Sequence, residues 1–411
     1  MLVACGHETF FLTNESTAWF DARMTIRTIR HASVFGGLAL IVACSGHYYA
    51  SGPAAAPAAI RLKDVFRDDF RVGTAVSPRQ FDERDSTDVG IIDKHFNTIS
   101  PENVLKWEVV HPRPGVYDFS QSDRYVAFGE RHGMFIVGHT LTWHSQTPQW
   151  VFEDSAGKPL TRDALLARLR DHIHTVVGRY KGRIGGWDVV NEALNEDGTM
   201  RQSPWLRIIG PDFVARAFTF AREADPAAEL YYNDYSMENA QKRAGGVRLV
   251  KSLLDEGLKV TAVGMQDHLK MNWPSVAEED STIRAFAGLG VKVNITELDV
   301  DVLPQASPNR SADVGLRAAA APALNPYAAG LPDSVQRALA RRYADMFGVY
   351  LAHRDVIDRI TFWGTQDGVS WLNGWPIRGR TSYPLLFDRG GRPKPAFDAV
   401  VAVATKGSRR H

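Results

Sequence analysis

From about Leu62 onward, short apolar runs alternate with longer stretches in which apolar residues recur every three or four positions. The short runs are "RVGTAV" from Arg71, "HFNTIS" from His95, "MFIVGHTLTW" from Met134 and "GGWDVV" from Gly185. They continue with "ELYYNDY" from Glu229, "TAVGMQDH" from Thr261, "VKVNITEL" from Val291 and "RITFWG" from Arg359. Each has the length and the β-branched or aromatic content of a strand. Between them, "TRDALLARLRDHIHTVVGRY", with Thr161 placed to cap it, "AQKRAGGVRLVKSLLDEG" and "DSVQRALARRYADMFGVYLAHR" carry the helical period. Strands alternating with helices in one continuous unit predict an α/β fold, a (β/α)8 TIM barrel made as a single domain over residues 62–405. A doubly wound sheet is the alternative, but it usually carries a Gly-rich phosphate turn after its first strand, and the sequence has none. Residues 303–332, rich in Ala and Pro, lack periodicity and read as a long loop after the seventh strand. No internal repeat or second domain is visible in the sequence.

Polar residues disturb this pattern at one kind of place. The fourth run ends "VVNEAL", setting Asn191 and Glu192 side by side where a buried strand has no use for them. In a barrel the strand interiors are packed, while their C-terminal ends open into the face that holds a site. The other strands end the same way. The second leads into "SPENVLKWE" with Glu102, Asn103 and Lys106, and the third into "GHTLTWHSQ" with His139, Trp143, His144 and Gln146. The fifth gives Asn233 and Asp234, the sixth Gln266 and His268, and the seventh Glu297 and Asp299. Trp363 and Trp371 follow the eighth. Any one of these could cap a helix or anchor a loop; their recurrence on strand after strand points to a site.

Glu192 and Glu297 stand out because each closes an apolar run. Paired carboxylates across a cleft suit acetal hydrolysis, one attacking the anomeric carbon while the other protonates the leaving oxygen. Salt bridges inside the barrel mouth are the blander reading, and the residues alone leave it open. A metal site drawn from His139, His144, His268 and Asp299 is disfavoured. His139 and His144 lie five apart, so an extended strand sends them to opposite faces, and no His-x-His ends the first strand. No metal and no cofactor are expected.

Composition adds limits more than direction. A hydrophobic fraction of 44% and a charged fraction of 23% describe an ordinary globular chain, and a net charge of +1 gives no reason to expect a nucleic-acid partner. Ten tryptophans supply flat faces of the kind a sugar cleft uses. The only cysteines are Cys5 and Cys44, so the body has no disulfide and no thiolate metal site. Residues 1–43 read as an export region with its start at Met24: Arg27 and Arg30 precede a short apolar run from Ala32 to Ala43. Ile41-Val42-Ala43-Cys44 resembles a bacterial lipobox, which predicts lipid on Cys44 and membrane attachment through it. Residues 44–61 then form a flexible Ala/Pro/Gly tether, and 406–411 a C-terminal tail. The expected product is an exported monomer, a periplasmic or outer-membrane lipoprotein, with plain secretion as the alternative.

With these residues assembled, the chain resembles the family 10 glycoside hydrolases, endo-β-1,4-xylanases of the TIM-barrel type, from about Leu62 to Val403. The motifs that carry the likeness are "FNTISPENVLKWE", "GHTLTWHSQTPQW", "WDVVNEAL", "YYNDY", "GMQDHL", "ITELDVDVLP" and "FWGTQDGVSW". The resemblance implies that Glu192 is the general acid/base and Glu297 the nucleophile of a retaining xylan hydrolysis. It implies that Asn191 bonds the 2-hydroxyl of the sugar at the cleavage point, and that His268 holds the nucleophile with Asp299 behind it. Glu102, Asn103 and Lys106 would bond the sugar two units away on the non-reducing side. His139, Trp143, Gln146, Gln266, Trp363 and Trp371 would wall the cleavage point, with Tyr232 and Asn233 on the leaving-group side. Two alternatives remain: a β-1,4-glucanase on the same plan, and a non-catalytic xylan-binding protein, which retention of both glutamates disfavours.

Overall fold

In the computed structural model, residues 60–305, 313–315 and 317–407 are described. The expected export region, Cys44, most of the tether and the last four residues lie outside them. The strands are β1 (Arg71–Val76), β2 (Thr98–Pro101), β3 (Phe135–Trp143), β4 (Gly186–Asn191) and β5 (Glu229–Asp234). They are followed by β6 (Ala262–Met265), β7 (His268–Lys270), β8 (Lys292–Asp301) and β9 (Ile357–Phe362). All pair in parallel, and the sheet closes because β6 bonds β8 while β1 bonds β9. β6 and β7 run along the same neighbour, Ala262–Met265 against Lys292–Ile295 and His268–Lys270 against Asp299–Asp301. They are two halves of one stave, so nine segments make an eight-stranded (β/α)8 barrel.

Every position of β2, β4, β6 and β7 is buried, as expected for strands covered by helices outside and packed side chains inside. Each fully buried Val or Ile of these staves, such as Ile99, Val189 and Val263, contributes about 1.5–3 kcal/mol over an exposed one. Trp187 is wholly enclosed and packs against β3 at Gly138, where a Cβ would come within 2.1 Å of its ring.

The outer helices fall where the periodicity puts them. Arg162–Arg179 starts after Thr161, whose hydroxyl accepts from Ala164 N at 3.4 Å. Ala240–Asp255 is capped by the Asn239 side chain, which accepts from Gln241 N at 3.0 Å. Asp333–Ala352 buries Leu339, Tyr343, Met346, Phe347 and Tyr350.

Three boundaries differ from expectation. His95 closes the helix Ser86–His95 instead of opening a strand, and β2 begins only at Thr98. The sixth stave is interrupted at Gln266 and Asp267, where Asp267 adopts a φ of 55°. The last helix, Pro395–Gly407, runs two residues into the expected tail. Within 303–332 the described residues contain one short 3-10 turn, Pro322–Leu324, and no longer element.

Candidate active site

Polar residues from β3, β4, β7 and β8 and from the segments that follow β2, β3, β4, β6 and β9 line a cleft of about 620 Å³. β4 finishes at Asn191, and Glu192 then takes a φ of 58°, a left-handed value that costs a non-glycine residue roughly 1–3 kcal/mol. Backbone bonds hold the turn. Glu192 N donates to Asn233 O at 2.9 Å, and Arg201 Nε donates to Glu192 O at 3.1 Å. The Glu192 carboxyl is thereby fixed in the wall, and three neutral donors reach it. Trp143 Nε1 bonds Oε2 at 2.8 Å, while Gln266 Nε2 and Asn191 Nδ2 bond Oε1 at 2.9 and 3.1 Å. Burial is the main cause that pushes this carboxyl up to about 7, the charge on Asp234 adds to it, and Glu297 contributes less.

Glu297, in the middle of β8, has the opposite surroundings. His268 Nε2 donates to its Oε2 at 3.2 Å, and Asn233 Nδ2 donates to its Oε1 at 2.9 Å. His268 in turn places Nδ1 3.1 Å from Asp299 Oδ1. Burial would lower the imidazole, but the two carboxylates outweigh it and raise His268 to about 10, so it stays a cation. Burial acts on Glu297 as well; the His268 bond and the charges at His139 and His268 overcome it and hold the carboxyl below its usual range. One glutamate therefore keeps its proton near neutrality and the other does not.

An amide bridge joins the two. Asn233 Nδ2 also donates to Asn191 Oδ1 at 2.9 Å, and Thr296 Oγ1 donates to Asn233 Oδ1 at 2.7 Å. Gly264 makes room for this amide: a Cβ there would stand 2.2 Å from Asn233 Oδ1. Asn191, read as bonding a sugar hydroxyl, also has partners within the protein: it donates to Glu192 Oε1 and accepts from Asn233 Nδ2.

Beyond β2 lies a polar shelf. Lys106 Nζ donates to Asn103 Oδ1 at 2.9 Å and to Gln146 Oε1 at 2.8 Å. Burial lowers Lys106 to about 8 against the pull of Glu297, Glu192 and Glu102, and burial raises Glu102 to about 7. His139 Nδ1 donates to Asp188 Oδ2 at 2.9 Å, so its ring is fixed from inside the barrel. Trp371 Nε1 bonds Asp299 Oδ2 at 2.7 Å, and its ring stacks on Trp375 at 4.4 Å.

The cleft thus gathers Glu102, Asn103, Lys106, His139, Trp143 and Gln146 from the ends of β2 and β3 with Asn191 and Glu192 from β4. Gln266, His268, Glu297, Trp363 and Trp371 come to it from β6 to β9 and the segment after β9. Asn233 and Asp299 stand behind this wall and bond it. Tyr232 does not reach it: the ring is fully buried and its hydroxyl donates to Asp234 at 2.5 Å. Asn233 is turned to Glu297, and its neighbour in a strand must point the other way.

Two residues were missed by sequence reasoning. Asp188 sits in an apolar run, where it reads only as an oddity until His139 is beside it. Val314 lines the cleft from the loop after β8, and no sequence signal marks it. Of the three histidines weighed as metal ligands, His139 is engaged with Asp188 and His268 with Glu297 and Asp299, and His144 is not among the residues that line the cleft. Among the described residues the tight carboxylate set is Glu238, Asp267 and Glu279, all buried and outside the cleft lining. Burial raises all three, and their neighbouring carboxyls add to it, as expected of acids that hold protons.

Known proteins match this chain along nearly the whole barrel. The family model of glycosyl hydrolase family 10 matches residues 61–403. Endo-1,4-beta-xylanase A of Xylanibacter ruminicola is 46% identical over 340 residues, 83% of this chain and 92% of the relative. An endo-1,4-beta-xylanase of Geobacillus stearothermophilus is 41% identical, covering 83% of this chain and 98% of its own length. Among solved structures, an endoxylanase of family 10 retrieved from a sugarcane soil metagenome superimposes with a TM-score of 0.81. It is 47% identical and covers 83% of this chain and 99% of its own. The chain belongs to glycosyl hydrolase family 10.

Proposed function

We propose that this chain is an endo-1,4-β-xylanase that cleaves internal xylosidic bonds with retention of configuration. Glu297 attacks the anomeric carbon while Glu192 gives its proton to the departing glycosidic oxygen. The covalent xylosyl-enzyme neutralises Glu297, which removes one of the charges that keep Glu192 protonated. Glu192, now ionised, takes a proton from the water that attacks the same carbon, and Glu297 leaves as a carboxylate. The observation that carries this reading is that two buried carboxyls line one cleft with opposite partners, Glu192 bonded by the neutral donors of Trp143, Gln266 and Asn191 and Glu297 by His268. The relatives named as xylanases favour xylan over glucan as substrate.

Proton NMR of the first-formed product on xylan tests the mechanism. A β anomer is expected, since two displacements restore the starting configuration. An α anomer overturns the nucleophile assignment. Release of reducing sugar from carboxymethyl cellulose as fast as from xylan replaces xylan by β-1,4-glucan as the substrate.

The same proposal includes export and a lipid on Cys44. The basic-then-apolar stretch from Met24 to Cys44 supports it, as does the lack of any other cysteine after it. Fractionation of cells that express the full chain and its Cys44→Ala variant tests it. A wild type as soluble as the variant replaces the anchor by plain secretion.

A further inference from the structure

Lys242 stands on the helix Ala240–Asp255, outside the cleft lining, and none of it is exposed. A lysine is almost never enclosed this way unless it is paired. Its Nζ lies 2.9 Å from Asp234 Oδ1 and 3.5 Å from the centre of the Tyr235 ring. The Asp234 contact is ionic more than an aimed hydrogen bond.

Asp234, equally enclosed at the end of β5, reaches directly to the turn that carries Glu192. Its Oδ2 accepts from Leu194 N at 3.4 Å and from the Tyr232 hydroxyl at 2.5 Å, and its Oδ1 accepts from Tyr235 N at 2.9 Å. On the other side of the same turn, Arg201 donates to Glu192 O at 3.1 Å, to Leu194 O at 3.4 Å and to the Tyr235 hydroxyl at 2.7 Å. The strained backbone at Glu192 is thus gripped by a carboxylate and a guanidinium. Lys242 is the cation that lets the carboxylate remain there.

We propose that Lys242 is a positioning residue for the acid/base: through Asp234 it holds the Glu192 turn and balances the negative charge behind it. This rests on the reading of Glu192 as the acid/base. The other ionisable groups facing the pair are Tyr232, Tyr235, Arg201, His144 and Glu238. His144 is pushed down to about 4 and is neutral in the neutral range, while Glu238 is pushed well up, burial being the main cause in each. Asp234 is also the strongest charge acting on Glu192, ahead of Glu297. Removal of its counter-charge must therefore register at the acid.

The test compares Lys242→Met, Asp234→Asn and the double variant with the wild type, each first checked for a native melting transition. Full pH profiles of kcat/KM are taken on xylan and on an aryl xyloside with a good leaving group. In Lys242→Met the alkaline limb on xylan moves up by roughly one unit, because Asp234 acts on Glu192 unopposed. In Asp234→Asn it moves down, and the double variant falls between the two. Near neutrality both single variants lose roughly tenfold or more on xylan and little on the activated substrate, which needs scant protonation. A merely structural lysine gives equal losses on both substrates with the wild-type limb, and that result overturns the proposal. If Lys242→Met does not fold, Asp234→Asn and the double variant decide by the same limb order. Glu192→Ala run alongside separates the two ideas: if it too loses equally on both substrates, the acid/base reading itself fails.

Discussion

Two sides of one cleft hold the same residue in opposite states. Glu192 and Glu297 are 4% and 5% exposed, so burial acts on both and cannot distinguish them. The difference lies in the partners. Glu192 meets neutral donors from Trp143, Gln266 and Asn191 and a like charge on Asp234. Glu297 meets a cation, His268, that Asp299 keeps charged. Neutral donors leave the desolvation of a carboxylate largely unanswered, whereas a charged donor answers it. Chemical role is thus set by what lies one residue behind each carboxyl.

The sharpest way to break the comparison is to remove each carboxyl in turn. Glu297→Ala should cost on the order of 10⁴–10⁶ in kcat on xylan and on an aryl xyloside alike, since no glycosyl-enzyme forms. Glu192→Ala should cost roughly 10²–10⁴ on xylan and far less on the aryl xyloside in the first step, because a good leaving group needs little acid. Initial rates with and without azide sharpen this further, since the small anion can enter the space left by Glu192 and accept the glycosyl group. Equal losses for both variants on both substrates would erase the distinction between the two sides.

The next effect is smaller and shows in the pH profile. The wild type should be active between the low value of Glu297 and about 7, where Glu192 ionises. Below that window the nucleophile is protonated; above it the acid has lost its proton. His268→Gln removes the cation but keeps a donor. Burial then acts on Glu297 with less opposition, so its pKa rises and the acidic limb moves to higher pH. The loss should be roughly 10- to 100-fold near pH 5 and should shrink as the pH rises and more of the variant's Glu297 ionises. A loss that is constant with pH would mean that His268 only shapes the site.

Much of this comparison could be read from the sequence, and the reason is the barrel. Strands written as apolar runs must end in the open face, so Asn191, Glu192, Gln266, His268 and Glu297 announce themselves by being polar where burial ends. What could not be read depends on neighbours across staves. Asp234 follows Glu192 by 42 positions, yet β4 and β5 pair and bring it behind the acid. Its effect on Glu192 exceeds that of Glu297. Tyr232 shows a different limit. The β4–β5 register shifts between Asp188 and Val190, and strand alternation then gives the cleft side to Asn233 while Tyr232 and Asp234 share the other face. The family motif marks both residues and does not say which way each one points. Val314 is beyond reach for a third reason, since a loop without periodicity carries no record of where it folds.

The smallest effect isolates the amide that spans the two sides. Thr296 donates its hydroxyl to Asn233 Oδ1, a bond that turns the amide so that Nδ2 can serve both Glu297 and Asn191. Thr296→Val keeps the shape and removes the donor. Asn233 Oδ1 would then be buried without its partner, beside the close wall of Gly264, at a cost of about 1–3 kcal/mol. Some of that cost falls on stability and some on the rate, so kcat/KM on xylan should fall roughly three- to tenfold, about 1 kcal/mol. The same loss is expected on an aryl xyloside, because Asn233 serves the nucleophile, and this separates it from Lys242→Met, whose loss should be confined to xylan. If Thr296→Val instead spares the aryl substrate, Asn233 belongs with the acid, and the line between the two sides has to be redrawn through β5.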